Sequence, residues 1–355
     1  MNRQRGALSQ IQGRFETVER AAFDDGWERE DEPLAPLQTT VTVERARSII
    51  ARNDSPDIPF DQSINPYRGC EFGCAYCYAR PSHSYLELSP GLDFETRIFA
   101  KTNAAELLNE ELAKPGYRVS PIAFGTNTDC YQPLERKYRI TRQVIEILAA
   151  CDHPLTIVTK SALVERDLDL LAPMAKKNLV KVFVSIGTLD HVLARRLEPR
   201  AASPKRRLDV LRAMSREGVP CGVMVAALIP ALNDQTLEQV LEEAAEAGAQ
   251  EAAYVILRLP NELKALFKEW LATHYPERAE HVISIVRQMR GGRENDPRFG
   301  ERMRGTGNYA DLISQRFAIA CRKFGLNGHG GGRRVPDLDC TRFVPPSPAG
   351  QLKLF

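Results

Sequence analysis

Cys70, Cys74 and Cys77 lie in the run NPYRGCEFGCAYCYAR, with three and then two residues between them. Three thiolates on one short loop can each take a corner of a cubane iron–sulfur cluster. A [4Fe–4S] cluster normally takes four cysteine thiolates, yet the next cysteine is Cys130, far outside ligand spacing. One iron is then left without a protein ligand and open to a small molecule, much as a catalytic zinc keeps one open position. Gly69 and Gly73 inside the run suit a loop wound tightly round a cluster, because glycine tolerates positive φ and close backbone approach. Two simpler readings stand beside this one. C-x-x-C alone also serves zinc or redox chemistry, but zinc asks for four ligands and His83 is the only nearby fourth candidate. A dithiol site has no use for Cys70, and inert buried thiols need no such spacing.

Tyr76 stands just before the last cysteine. C-x-x-x-C-x-(aromatic)-C is what radical S-adenosylmethionine (SAM) enzymes carry, and the chain resembles that superfamily. The resemblance implies two cofactors, a [4Fe–4S] cluster and SAM, with the open iron binding the amino and carboxylate groups of SAM. It further implies that one electron cleaves SAM to methionine and a 5′-deoxyadenosyl radical, which takes hydrogen from a substrate. An electron donor such as flavodoxin or ferredoxin would then be a partner.

The elements that must position these residues follow an α/β pattern. Short β-branched runs recur at 119–124, 155–159, 180–186, 222–228 and 253–257, and segments of helical period lie at 103–113, 141–150, 166–176, 203–217 and 236–247. Such alternation argues for parallel β/α units. With an early strand before Cys70 there are about six strands, and a closed eight-unit barrel typically needs ~250 residues. The expected fold is a partial (β/α)6 TIM-type barrel over 59–260, preceded by a leader over 1–58 in which VTVERARSIIARN forms a short strand and helix. A helical C-terminal extension over 261–345 has helices at 263–274, 278–290 and 308–324, and a flexible tail follows over 346–355. The 355 residues allow a large core, and a net charge of +2 excludes a strong whole-molecule field. There is no secretory h-region and no run of ~18 apolar residues that would span a membrane. The eight cysteines do not read as a disulfide framework, so a reducing cytoplasm is expected.

Further motifs carry a closer resemblance. GTNTDCYQPLE (125–135), TKSALVERDLDLL (159–171), SIGTLD with LEPRAASPKRRL (185–208) and IPALND (229–234) resemble the spore photoproduct lyase branch, often described as DNA-repair-photolyase-like. The resemblance spans 60–345. It implies Cys70, Cys74 and Cys77 as cluster ligands and places Tyr76, Tyr78, Thr128, Asp129, Lys160 and Ser185 round SAM. Lys160 would meet the SAM carboxylate and Ser185 the ribose. Turn chemistry is the alternative for Thr128 and Asp129, a solvated surface position for Lys160 and a helix cap for Ser185. One departure matters: where the lyase has the cysteine that returns hydrogen to its product radical, this chain has Thr126. The lyase's own route is therefore not supported. Cys130 is either a relocated hydrogen donor or a buried, apolar-like thiol.

The resemblance implies nucleic acid as substrate, in DNA repair or modification. A peptide or small-molecule radical enzyme and a non-catalytic iron–sulfur adaptor are the alternatives. The chain ends in Gln351-Leu352-Lys353-Leu354-Phe355 behind a prolyl linker. This resembles the pentapeptide by which bacterial repair proteins dock on the DNA sliding clamp, with Gln351, Leu352, Leu354 and Phe355 as contacts. Self-docking of the tail is its alternative. Arginines over 287–304 form a basic stretch that suits phosphate, or a solvated, ion-paired face.

Overall fold

The computed structural model describes residues 5–17, 37–332 and 335–346. Its strands are β1 (Thr40–Glu44), β2 (Ile50–Arg52), β3 (Gln62–Ile64), β4 (Tyr67–Arg68), β5 (Arg97–Lys101), β6 (Ile122–Phe124), β7 (Leu155–Thr159), β8 (Val180–Ser185), β9 (Cys221–Leu228) and β10 (Glu251–Ile256). Seven of them form one sheet in the order β10-β9-β8-β7-β6-β3-β2, and β1-β5-β4 form a small second sheet. From β3 to β10 all neighbours are parallel, and β2 alone is antiparallel at its edge. Edge strands β2 and β10 do not pair, so the sheet is an open barrel of six parallel strands.

The strands form where β-branched residues are buried on one or both faces. LTIVT of β7 and VKVFVS of β8 alternate fully buried with partly buried positions, as expected for a parallel sheet covered by helices. Each covering helix offers one apolar stripe: Ile140–Ala150 buries Ile140, Val144, Ile145 and Leu148, the i, i+4 repeat of an amphipathic helix. The strands and helices expected over 119–257 are present, the structure adds β5 and the helix His191–Leu197, and two segments differ in type. Residues 40–52 make two strands instead of a strand and a helix, because Ile50 and Ala51 find ladder partners in Ile64 and Ser63. The segment 166–176 begins as a 3-10 helix, Ala162–Asp167, and only then becomes the α-helix Leu168–Lys176.

After β10 come the helices Leu263–His274, Pro276–Gln288 and Asn308–Phe324. The first two do not extend the barrel core. Phe267, Trp270, Leu271, Val282 and Val286 share a buried cluster with Phe72, Cys74 and Tyr76, so the extension is the floor under the cysteine loop. Residues 335–346 return across the opposite end of the sheet. Val344 N–H donates to the Cys151 carbonyl at 2.9 Å, and the Phe343 ring packs on Tyr117 and His153.

His153 has no solvent exposure. Its Nδ1 faces the Pro154 carbonyl at 2.9 Å and Nε2 the Tyr117 hydroxyl at 2.9 Å. Burial pulls its pKa from 6.5 down to about 4, against the pull of the Pro154 hydrogen bond. The imidazole is neutral when folded and must charge on unfolding as the pH falls. Stability from this group is therefore intact above pH 6.5 and lost between 6.5 and about 4, by about 3 kcal/mol at most. Urea unfolding of wild type and His153→Gln at pH 7 and pH 5 should show the acid loss shrinking in the variant.

Candidate active site at the carboxyl ends of the strands

The cysteine loop begins where β4 ends. Gly69 and Gly73 both have positive φ, +79° and +63°, and neither has room for a side chain. A Cβ on Gly69 would lie 2.8 Å from the Phe94 carbonyl oxygen, and one on Gly73 would run into the Glu95 carboxylate. Cys70 N–H donates to the Phe94 carbonyl at 2.9 Å and Ala75 N–H to Leu197 at 2.9 Å. Behind the loop Arg80 is wholly buried. Its Nε donates to the Cys74 carbonyl at 2.9 Å, and its Nη2 donates to the Gly73 carbonyl at 3.1 Å and to Glu95 Oε1 at 2.5 Å. Glu95, equally buried, also accepts from the Gly6 and Ala7 N–H groups at 3.0 and 2.7 Å. Gln132 closes the far side, accepting from Glu71 N–H at 3.0 Å and donating to the Gly69 carbonyl at 3.2 Å.

All eight cysteines are free thiols; Cys70 and Cys74 are buried and Cys77 half-buried. Burial pushes Cys70 well up and Cys74 to about 12, with Lys160 drawing Cys74 the other way. Thiolates here need positive charge brought to them, which iron supplies. Three free thiols on one short loop suit three corners of a cubane cluster, and the fit rests on that donor set.

Facing the loop are the ends of β6, β7, β8 and β9. Tyr76 donates its hydroxyl to Glu198, which is ion-paired to Arg207, and all three are buried. Arg207 Nη1 also donates to the Ser185 carbonyl at 2.8 Å, and Ser185 Oγ donates to the Ala226 carbonyl at 3.2 Å. Burial alone would raise the Glu198 carboxyl, but Arg207 and Lys160 more than offset it and hold it below its usual range. Lys160 is half-buried, with Nζ 5.8 Å from the Tyr76 ring centroid. Burial would lower it, but Cys74 and Glu198 outweigh burial and keep the ammonium charged. Asp129 accepts from Thr159 Oγ1, the Lys160 N–H and the Tyr131 N–H at 2.7, 2.7 and 2.9 Å. It thus orients the turn carrying Lys160, while burial pushes its own pKa up against those bonds. Thr128 is buried, its hydroxyl 3.3 Å from the Tyr67 carbonyl. Tyr78 turns its hydroxyl onto the Thr126 carbonyl and leaves its ring 45% exposed.

Tyr76 of the cysteine loop, Lys160 and Ser185 are thus linked at the carboxyl ends of the strands through Glu198 and Arg207, with Asp129 behind Lys160. Cys130 is not brought there. Its side chain has no exposure and belongs to the barrel core with Tyr67, Tyr131 and Ile140, which favours the second of its two readings, a buried thiol that serves packing. Gln351, Leu352, Leu354 and Phe355 lie outside the described residues. Sequence reasoning missed Arg80, Glu95, Gln132, Glu198 and Arg207. Glu198 and Arg207 sit within LEPRAASPKRRL, but a pair nine positions apart across a loop has no periodic signature.

Residues 64–244 match the family model of the radical SAM superfamily. The chain belongs to that superfamily. It is 38% identical over 300 residues to uncharacterised proteins of Mycobacterium tuberculosis and Mycobacterium bovis, covering 83% of this chain and 84% of each relative. Among solved structures it is similar to spore photoproduct lyase complexed with dinucleoside spore photoproduct, with a TM-score of 0.59 and 17% identity over 81% of this chain and 80% of that one. A mutant of that lyase with bound AdoMet and the same dinucleoside also matches, with a TM-score of 0.59. At 17% identity this likeness speaks for the fold. The protein is thus a radical SAM enzyme, of a superfamily that uses a [4Fe–4S] cluster and SAM.

Arg207→Met should cost about 3–5 kcal/mol in urea unfolding, because it leaves the Glu198 carboxylate buried and unpaired. Glu198→Gln combined with Arg207→Met should recover much of that loss.

Proposed function

We propose that Cys70, Cys74 and Cys77 hold the cluster, and that the chain reductively cleaves SAM there to act on nucleic acid, in repair or modification of DNA. The observation that carries the first part is the support round the loop: three free thiols on a backbone fixed by Arg80, Glu95 and Gln132, with Tyr76 of the same loop set against Lys160 and Glu198. A cluster held by Cys70, Cys74 and Cys77 would supply the electron for reductive cleavage of SAM bound beside it. The protein's share is placement. Lys160 offers a charge-assisted hydrogen bond to the methionyl carboxylate, Asp129 fixes the turn that carries Lys160, and Ser185 and Tyr76 form the wall beyond. The buried Glu198–Arg207 pair adds no net charge.

The lyase of similar fold binds a dinucleoside photoproduct, as its description states. That likeness supports nucleic acid as substrate, and the Gln351–Phe355 motif supports the sliding clamp as a partner; the basic stretch adds little, since Arg287, Arg298 and Arg302 are ion-paired. Eight free thiols suit a reducing cytoplasm with an electron donor such as flavodoxin or ferredoxin. Among the described residues no helix is long and apolar enough to cross a membrane.

Anaerobic reconstitution with iron, sulfide, SAM and a strong reductant should yield 5′-deoxyadenosine, and each of Cys70→Ala, Cys74→Ala and Cys77→Ala should abolish it together with the cluster's absorbance. Deuterium from labelled DNA should appear in the 5′-deoxyadenosine; its absence with DNA, and presence with a labelled peptide, would refute the substrate class. Deleting Gln351–Phe355 should abolish capture on immobilised sliding clamp without changing the 5′-deoxyadenosine yield.

A further inference from the structure

Beyond β10 the chain crosses the open side of the barrel. Ile256 N–H donates to the Met303 carbonyl at 2.9 Å, so the loop before the last helix is laid along the end of the edge strand. Arg302 of that loop reaches Asp57, between β2 and β3 at the other edge, through Nε at 2.7 Å and Nη2 at 2.5 Å. One ion pair thus ties the segments beside the two unpaired edges of the sheet.

The arginines gathered by this loop are not equivalent. Arg298 is held by Asp296 and Glu301, and Arg302 by Asp57. Arg290 is occupied by the carbonyls of Glu301 and Leu257, at 2.8 and 3.1 Å. Arg258, two residues past the end of β10, has no carboxylate partner among the described residues. Its one hydrogen bond to a described acceptor runs from Nη1 to the Met303 sulfur at 3.6 Å, a weak acceptor. Its Nε is buried with no hydrogen-bond partner among the described residues. The side chain is half-buried, so the charge is partly stripped of water and still reachable. Burial lowers its pKa and the nearby Arg302 lowers it further, with Asp57 and Tyr78 opposing. A guanidinium carries five donors in a planar fork made for an oxyanion, and most of this one's are unspent.

Its place gives the unspent charge a use. The Arg258 guanidinium carbon lies 5.3 Å from the Tyr78 ring centroid, and Tyr78 follows the cysteine Cys77 directly. Lys160 lies over the neighbouring Tyr76 ring, with Nζ 5.8 Å from its centroid. Two cations therefore sit against the two tyrosines that bracket Cys77: Lys160 with Glu198 and Asp129 acting on it, and Arg258 with no carboxylate partner among the described residues.

We propose that Arg258 is an oxyanion anchor at the mouth of the site, which takes a phosphodiester of the nucleic-acid substrate and sets how far the strand enters. The identity of the anion rests on the substrate class proposed above; the anchor rests on the unpaired guanidinium. Nothing covalent happens at Arg258.

The test uses the full reconstituted chain with three probes: a short thymidine oligonucleotide, the same oligonucleotide with neutral methylphosphonate linkages, and inorganic phosphate. Arg258→Gln should weaken binding of the charged oligonucleotide about tenfold and reduce the slope of log affinity against log salt by about one. It should also narrow the preference for charged over neutral linkages. Arg258→Lys should keep the slope and lose part of the affinity, and with iron content it separates a lost contact from a damaged fold. Unchanged affinity and slope in Arg258→Gln would overturn the anchor and leave the nucleic-acid reading standing. Phosphate binding that depends on Arg258, with no oligonucleotide bound by wild type, would sustain the anchor and remove nucleic acid. If wild type binds none of the three probes, the anchor is overturned.

Discussion

The site depends on the buried ion pair between Arg80 and Glu95. Both side chains have no exposure, and an unpaired charge at that depth costs several kcal/mol. The pair is retained because every strong valence is used: Arg80 donates to the carbonyls of Gly73, Cys74 and Gly91, and Glu95 accepts from Arg80 and from two backbone N–H groups of residues 6 and 7. A network satisfied in this way admits few alternative arrangements. It turns a glycine-rich loop, which would otherwise have many conformations, into a surface that presents three thiols in one geometry. The first residues of the chain, read from sequence as a leader, close the back of that surface.

The same principle governs the opposite wall. Glu198, Arg207, Lys160 and Asp129 place four charged groups beside the thiols, and most of that charge is internally compensated. Tyr76 links the two walls, since it belongs to the cysteine loop yet its hydroxyl rests on Glu198. Movement of either wall is felt by the other. A buried pair that adds no net charge is a suitable neighbour for one-electron chemistry, because it shapes the cavity without biasing it strongly.

An open barrel needs something at its free edges. Here one edge is tied to the other by Asp57 and Arg302, and the helical extension carries the cysteine loop from below. Cys130 shows the reverse case. It sits one residue from Asp129, in sequence as near to the site as any residue, yet its strand-end turn sends the thiol into the core.

Much of this was legible in the sequence. The spacing of Cys70, Cys74 and Cys77 carries the chemistry because ligands on one short loop are local. The runs 155–159 and 180–186 announce strands because period and composition are local as well. Lys160 and Ser185 were named through a family resemblance, and their position at strand ends agrees with a parallel sheet whose strand ends all face one way. Only the tertiary structure decided what depends on distant partners: that residues 40–52 find ladders and become strands, that Glu198 meets Arg207 and Tyr76, that Cys130 turns inward, and that Arg258 is left without a carboxylate. Spacing along a chain reports which groups can share a loop or a face. Which charges end up paired, and which thiol is sealed from solvent, is settled only when remote segments pack and water is excluded.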